Sequence, residues 1–129
     1  MGRGKGVKWW AHVLCSALLA VTLAPGEVAA APVLVAVGAV LPDVLERILG
    51  LRHRSLHELA VYLLLTGPLA LTGTVTLAVG AIDHILTDAL TVHGVTVFGF
   101  RVRGPLKTDS YAHNALAVAI HLLPLALIP

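Results

Sequence analysis

Apolar residues run through almost the whole of this chain, in stretches too long and too poor in charge to face water. Five segments separate at turn-forming residues. They cover residues 8–24, closed by Pro25-Gly26; 28–49, closed by Gly50; 55–66, broken at Gly67-Pro68; 74–91, stopped at Gly94; and 110–128. Composition points the same way: 57% of the chain is hydrophobic and 12% charged, about half the ~25% charge of a typical soluble domain. The sequence therefore predicts an all-α fold, a polytopic transmembrane bundle of about five helices forming one membrane-embedded domain over residues 1–129. A full span takes ~20 residues, so the third segment is expected to continue through Pro68 to about Leu71. Residues 95–103, β-branched and aromatic around Gly99, predict a short hairpin or extended loop.

The N-terminus imitates a secretory signal: Arg3, Lys5 and Lys8 precede an apolar run, and the small residues Ala29–Ala31 follow. Because further apolar segments come after it, the run is expected to be a first span and not a cleaved leader. The remaining cations fall in two clusters, Arg47, Arg52 and Arg54, then Arg101, Arg103 and Lys107. With five spans all three clusters share one side, which the positive-inside rule makes cytoplasmic, together with the N-terminus. A net charge of +2 gives no nucleic-acid footprint, and a single cysteine, Cys15, excludes an intrachain disulfide and a Cys-rich zinc module.

This topology gathers most of the His and Asp residues at the cytoplasmic mouth. His12 lies in segment one, Asp43 in segment two, His53 and His57 open segment three, Asp83, His84 and Asp88 end segment four, and Asp109 and His113 open segment five. His84 and Asp88 are four apart and share a helix face; so do His53 and His57, and Asp109 and His113. Imidazole with carboxylate suits zinc, manganese or iron, whereas calcium takes oxygen alone. Structural roles compete at several positions. Asp43 can pair with Arg47, His53 can be solvated, and Asp83 can face Arg101 or Arg103. His93 can cap a helix dipole, and His121 can make a packing hydrogen bond. His12, His84 and Asp88 are the trio these roles explain least.

The residues also carry a resemblance. Gly38-Ala39-Val40-Leu41-Pro42-Asp43, then His53-Arg54 with His57, then Asp83-His84-x-x-x-Asp88-x-x-Thr91-x-x-Gly94-Val95 resemble the YdjM-like family of membrane-embedded metal-dependent hydrolases. That family is distantly similar to zinc-dependent phospholipase C. The resemblance runs from His12 to about His113 and is most specific in the fourth segment. It implies His12, Asp43, His57, His84 and Asp88 as metal ligands; His53, Asp83, His93 and His113 stand beside them as candidates for additional ligands or supports. The chain departs from the family pattern at Leu45, where a second Asp is usual, at Glu58, where Ser is usual, in a His53–His57 gap one residue shorter, and at His113, where Glu is usual.

The expectation is thus a membrane-bound hydrolase that holds a divalent metal, zinc by preference, and cleaves a phosphoester of a phospholipid or lipid-linked phosphate. Arg52, Arg54, Arg101 and Arg103 would meet the anionic head group. Membrane lipids are the expected partners, beside a second copy or another membrane subunit. Two other readings compete: a non-catalytic membrane subunit whose His and Asp residues hold a structural metal or the bundle, and a small ion or proton transporter. Asp43 could serve as a ligand or as a general base; the sequence assigns no other residue a catalytic role.

Overall fold

The computed structural model describes residues 9–30, 32–50, 57–71 and 75–127. These form six helices and one hairpin: α1 (Trp9–Leu23), α2 (Pro25–Ala30), α3 (Pro32–Ile48), α4 (Leu59–Leu71), α5 (Val75–Ala89), β1 (Val95–Val97), β2 (Phe100–Val102) and α6 (Tyr111–Leu127). His53, Arg52 and Arg54 lie outside the described residues.

The transmembrane expectation fails on helix length. Among the described residues no helix is long and apolar enough to cross a membrane. The longest, α3 and α6, have 17 residues each, about 25 Å of helix against a hydrocarbon core of ~30 Å. The polytopic bundle, the integral-membrane location and the assignment of a cytoplasmic side are therefore not supported. Hydropathy registers the apolar content of each segment but not its backbone punctuation. Pro25 and Pro32 each open a new helix, so the predicted second segment is divided between α2 and α3. In the third, Glu58 forms a β-bridge with Thr96, and α4 runs from Leu59.

α5 is the central element and packs against α1, α3, α4 and β1, whereas α6 packs on α1. The crossing of α3 and α5 is set by two glycines. A Cβ on Gly38 would run into the Leu77 carbonyl oxygen, and one on Gly80 would lie 2.5 Å from that of Val35. Backbones meet directly there, which no side chain larger than hydrogen permits. Tyr62, Ala81, Ile85 and Val95 form one apolar core between α4, α5 and the hairpin; Cys15, Leu106 and Ala117 form a second under α6. Large apolar side chains also face outward, Leu63, Leu64 and Leu65 on α4 and Leu116, Leu122 and Leu123 on α6.

The hairpin pairs Val95 with Val102, Thr96 with Arg101 and Val97 with Phe100. Phe98 (φ 48°) and Gly99 (φ 83°) make its two-residue turn. Positive φ at both central positions matches the twist of paired strands. The Thr96 N–H donates to the His57 carbonyl at 3.0 Å, and the Phe98 N–H donates to Glu58 Oε1 at 2.7 Å. The hairpin is thereby fastened to the segment that carries His57.

Candidate metal centre

Four elements bring five ligand-type side chains together. α1 supplies His12, α3 supplies Asp43, the segment before α4 supplies His57, and α5 supplies His84 and Asp88 one turn apart. His12, His57, His84 and Asp88 are at most 2% exposed, while the Asp43 side chain is 30% exposed, so the cluster opens to solvent on the Asp43 side.

The separations carry the chemistry. His57 Nε2 lies 3.4 Å from both Asp43 Oδ1 and Asp88 Oδ2, and His84 Nε2 lies 3.6 and 3.7 Å from the same two oxygens. These exceed the 2.7–3.2 Å of good N–H···O hydrogen bonds. They match the ligand-to-ligand edge of a tetrahedral site, about 3.3–3.6 Å for bonds of ~2.0–2.2 Å. Asp88 also reaches the other way, with Oδ1 at 3.5 Å from His12 Nε2. The His12 ring stacks on that of His84, with centroids 3.8 Å apart. Two overlapping groups, His12, His84, Asp88 and Asp43, His57, His84, each offer ligand atoms within 4.8 Å of one another and could hold a metal ion.

Outer contacts fix which ring nitrogen faces inward. His84 Nδ1 donates to the Ala39 carbonyl at 2.6 Å, and His57 Nδ1 donates to Glu46 Oε1 at 2.8 Å. A carbonyl and a carboxylate only accept, so each Nδ1 carries its hydrogen and each neutral ring turns the Nε2 lone pair toward the carboxylates. Asp43 is held in turn by the Trp9 indole N–H, 3.0 Å from Oδ2. Lone pairs thus converge on carboxylate oxygens in a buried space, an arrangement that repels itself unless a cation enters. His84 Nε2 and His12 Nδ1 make no hydrogen bond among the described residues. Burial, and then His84, lower His12, which keeps its ring neutral and able to ligate.

Other sequence candidates lie elsewhere. Asp83 faces away from the cluster: Ser16 Oγ donates to its Oδ2 and His121 Nε2 to its Oδ1, both at 2.9 Å. It does not face Arg101 or Arg103. Arg101 Nη2 instead donates to the His93 carbonyl at 2.6 Å, and Arg103 is exposed. His93 lies beyond the end of α5 and so does not cap it. His113 Nδ1 accepts from the Lys107 backbone N–H at 2.7 Å. Thr91 and Gly94 have structural roles. Thr91 Oγ1 bonds the Asp88 carbonyl at 2.7 Å, and Gly94 turns the chain at φ 64°.

Three participants escape a reading of the sequence: Glu46, Trp9 and the Ala39 carbonyl. Glu46 does have a signal, since it stands three residues after Asp43 and so on the same face of α3. It supplies a carboxylate one position beyond Leu45. Trp9 and Ala39 have none, because an indole donor and a backbone acceptor carry no mark of the helix they will meet. No family model, curated protein or solved structure matches the chain.

Proposed function

We propose that the chain is a metal-dependent hydrolase of phosphoesters. The observation that carries this is the ring of four ligand atoms, Asp43 Oδ1, His57 Nε2, Asp88 Oδ2 and His84 Nε2, with edges of 3.4–3.7 Å. The mixed nitrogen and carboxylate donors suit zinc, and manganese or iron after it. A divalent cation held there supplies a water of lowered pKa and polarises a phosphoryl oxygen.

The chain's own residues account for the rest. Glu46 and the Ala39 carbonyl orient the two imidazoles. Asp88 presents one oxygen toward His57 and His84 and the other toward His12, so it would be able to ligate a metal on either side. Among the described residues, burial of the remaining ligands leaves the Asp43 side as the open one. At that opening the Arg47 guanidinium lies over the Trp9 ring, 5.6 Å from its centroid, so a positive charge stands where an anionic substrate would enter. The resemblance to the YdjM-like family favours the same activity and ligands.

A second reading has an observation of its own. Four of the five ligand-type side chains are at most 2% exposed, as suits a closed, structural zinc site. Metal analysis of the purified protein, followed by hydrolysis of bis(p-nitrophenyl) phosphate with and without chelator, separates the two. Bound metal with chelator-sensitive turnover is expected. Bound metal without turnover on any phosphoester leaves the structural role, and absence of metal binding defeats both.

A further inference from the structure

Trp9 opens α1 with 45% of its surface exposed, so burial in a core is not what places it. Its polar edge is placed all the same. His12 follows one turn later on the same face of α1, and the Trp9 indole N–H donates to Asp43 Oδ2 at 3.0 Å. The first turn of α1 is thereby tied to α3 at a ligand of the centre.

Asp43 is the ligand for which such a tie matters most. Its side chain is 30% exposed and stands on the open side of the cluster. Its two oxygens are differently employed. Oδ1 lies 3.4 Å from His57 Nε2 and 3.6 Å from His84 Nε2, while Oδ2 accepts from the indole. An indole nitrogen only donates, so no change of tautomer reverses that bond. A carboxylate with one oxygen held in this way offers a cation the other alone. Without the donor both oxygens are free to close on it, since carboxylates ligate through one oxygen or two. The second oxygen would then compete for the solvent side of the centre. That side is where a zinc held by four protein atoms takes a further ligand, by expanding to five.

We propose that Trp9 is a positioning residue: its N–H confines Asp43 to one ligating oxygen and so keeps the solvent side of the centre open to a water or a small anion. This rests on the metal centre that both readings above share, and it goes beyond them by assigning the residue that keeps the centre open.

The test uses the full chain loaded with Co²⁺ and titrated with azide, read by calorimetry and by the visible spectrum of the metal. Trp9→Phe removes the N–H and keeps an aromatic face under Arg47, so a loss of azide binding cannot be laid to a missing charge. The variant should fill with cobalt as the parent does and bind azide roughly ten- to a hundredfold more weakly. Azide that saturates the parent should then leave the spectrum of the variant nearly unchanged. A second measurement covers a variant that fails to fold. In a Trp10→Phe protein the only tryptophan left is Trp9, and its indole N–H resonance should move when zinc is added. If Trp9→Phe binds azide as tightly as the parent, or if the indole resonance stays still on saturation with zinc, the proposal is wrong. If the loaded parent takes up no azide, the centre is closed and the proposal is wrong although the metal site stands. If the parent binds no cobalt, the metal centre itself fails and takes this proposal with it.

Discussion

Asp83 and His84 are neighbours on α5, yet they lead into two buried clusters of opposite character. Around Asp83 every group has its partner. Both nitrogens of His121 face acceptors, Asp83 Oδ1 at 2.9 Å and the Ala117 carbonyl at 2.8 Å, which requires the ring to be an imidazolium. Ser16 occupies the other carboxylate oxygen. Around His84 the same residue types stand 3.4–3.7 Å apart with their lone pairs turned inward. One cluster is a closed ion pair that ties α6 to α5. The other is an array of ligand atoms that could hold a metal ion. Residue type does not separate the two; the tautomer imposed by outer partners does.

The comparison can be broken most severely at the two carboxylates of α5. Asp88→Asn should reduce zinc affinity by more than the roughly 10- to 100-fold typical of supporting positions, whereas Asp83→Asn should leave it unchanged. Equilibrium dialysis with zinc reads both, and equal losses would show that the two clusters are not independent. The converse test is on stability. Asp83→Ala removes one partner of a buried pair and should lower unfolding stability by about 3–5 kcal/mol, measured by urea titration of the metal-free protein. Zinc at a hundred times its dissociation constant should then add about 2.7 kcal/mol to the parent protein, visible as a rise in thermal midpoint, and add nothing to Asp88→Asn. Glu46→Gln, which weakens the hold on His57, should cost zinc affinity about 10- to 100-fold with little change in stability.

A further effect is on pH. Burial lowers His121, but its bonds to Asp83, Cys15 and the Ala117 carbonyl raise it further, from 6.5 to about 10. A group whose pKa is higher in the folded state stabilises fully below its unfolded value. Its contribution should therefore be whole below about pH 6.5 and fade as pH climbs toward 10. Urea midpoints between pH 6 and 10.5 should fall in the parent and fall less in His121→Gln.

Much of the centre is legible in the sequence, and the parts that are not share a cause. Helical spacing alone puts His84 and Asp88 on one face, and His12 stands out as an ionisable group in an apolar run. Asp43 and His57 enter as candidates gathered at one end of the segments, His57 also by its four-residue spacing from His53, and the family resemblance implies both as ligands. On sequence alone Asp83 can face Arg101 or Arg103 or support the metal, and it meets His121 instead; nothing local to residue 83 says that α6 will lie within reach. The membrane-spanning expectation fails for a related reason. Hydropathy sums side chains and is blind to where Pro25, Pro32 and the Glu58 bridge stop a helix. Local pattern shows which residues can act, while helix ends and crossings, which are long-range outcomes, decide which of them meet.

The fastening of the hairpin to His57 has a consequence for exchange with solvent. The Thr96 amide is held by the carbonyl of the same residue whose ring nitrogen faces the centre. Ordering that ring by a cation also steadies its backbone, so the Thr96 amide becomes a reporter: its deuterium uptake should slow when metal binds. A signal from the buried centre can thus be read in a strand that carries no ligand.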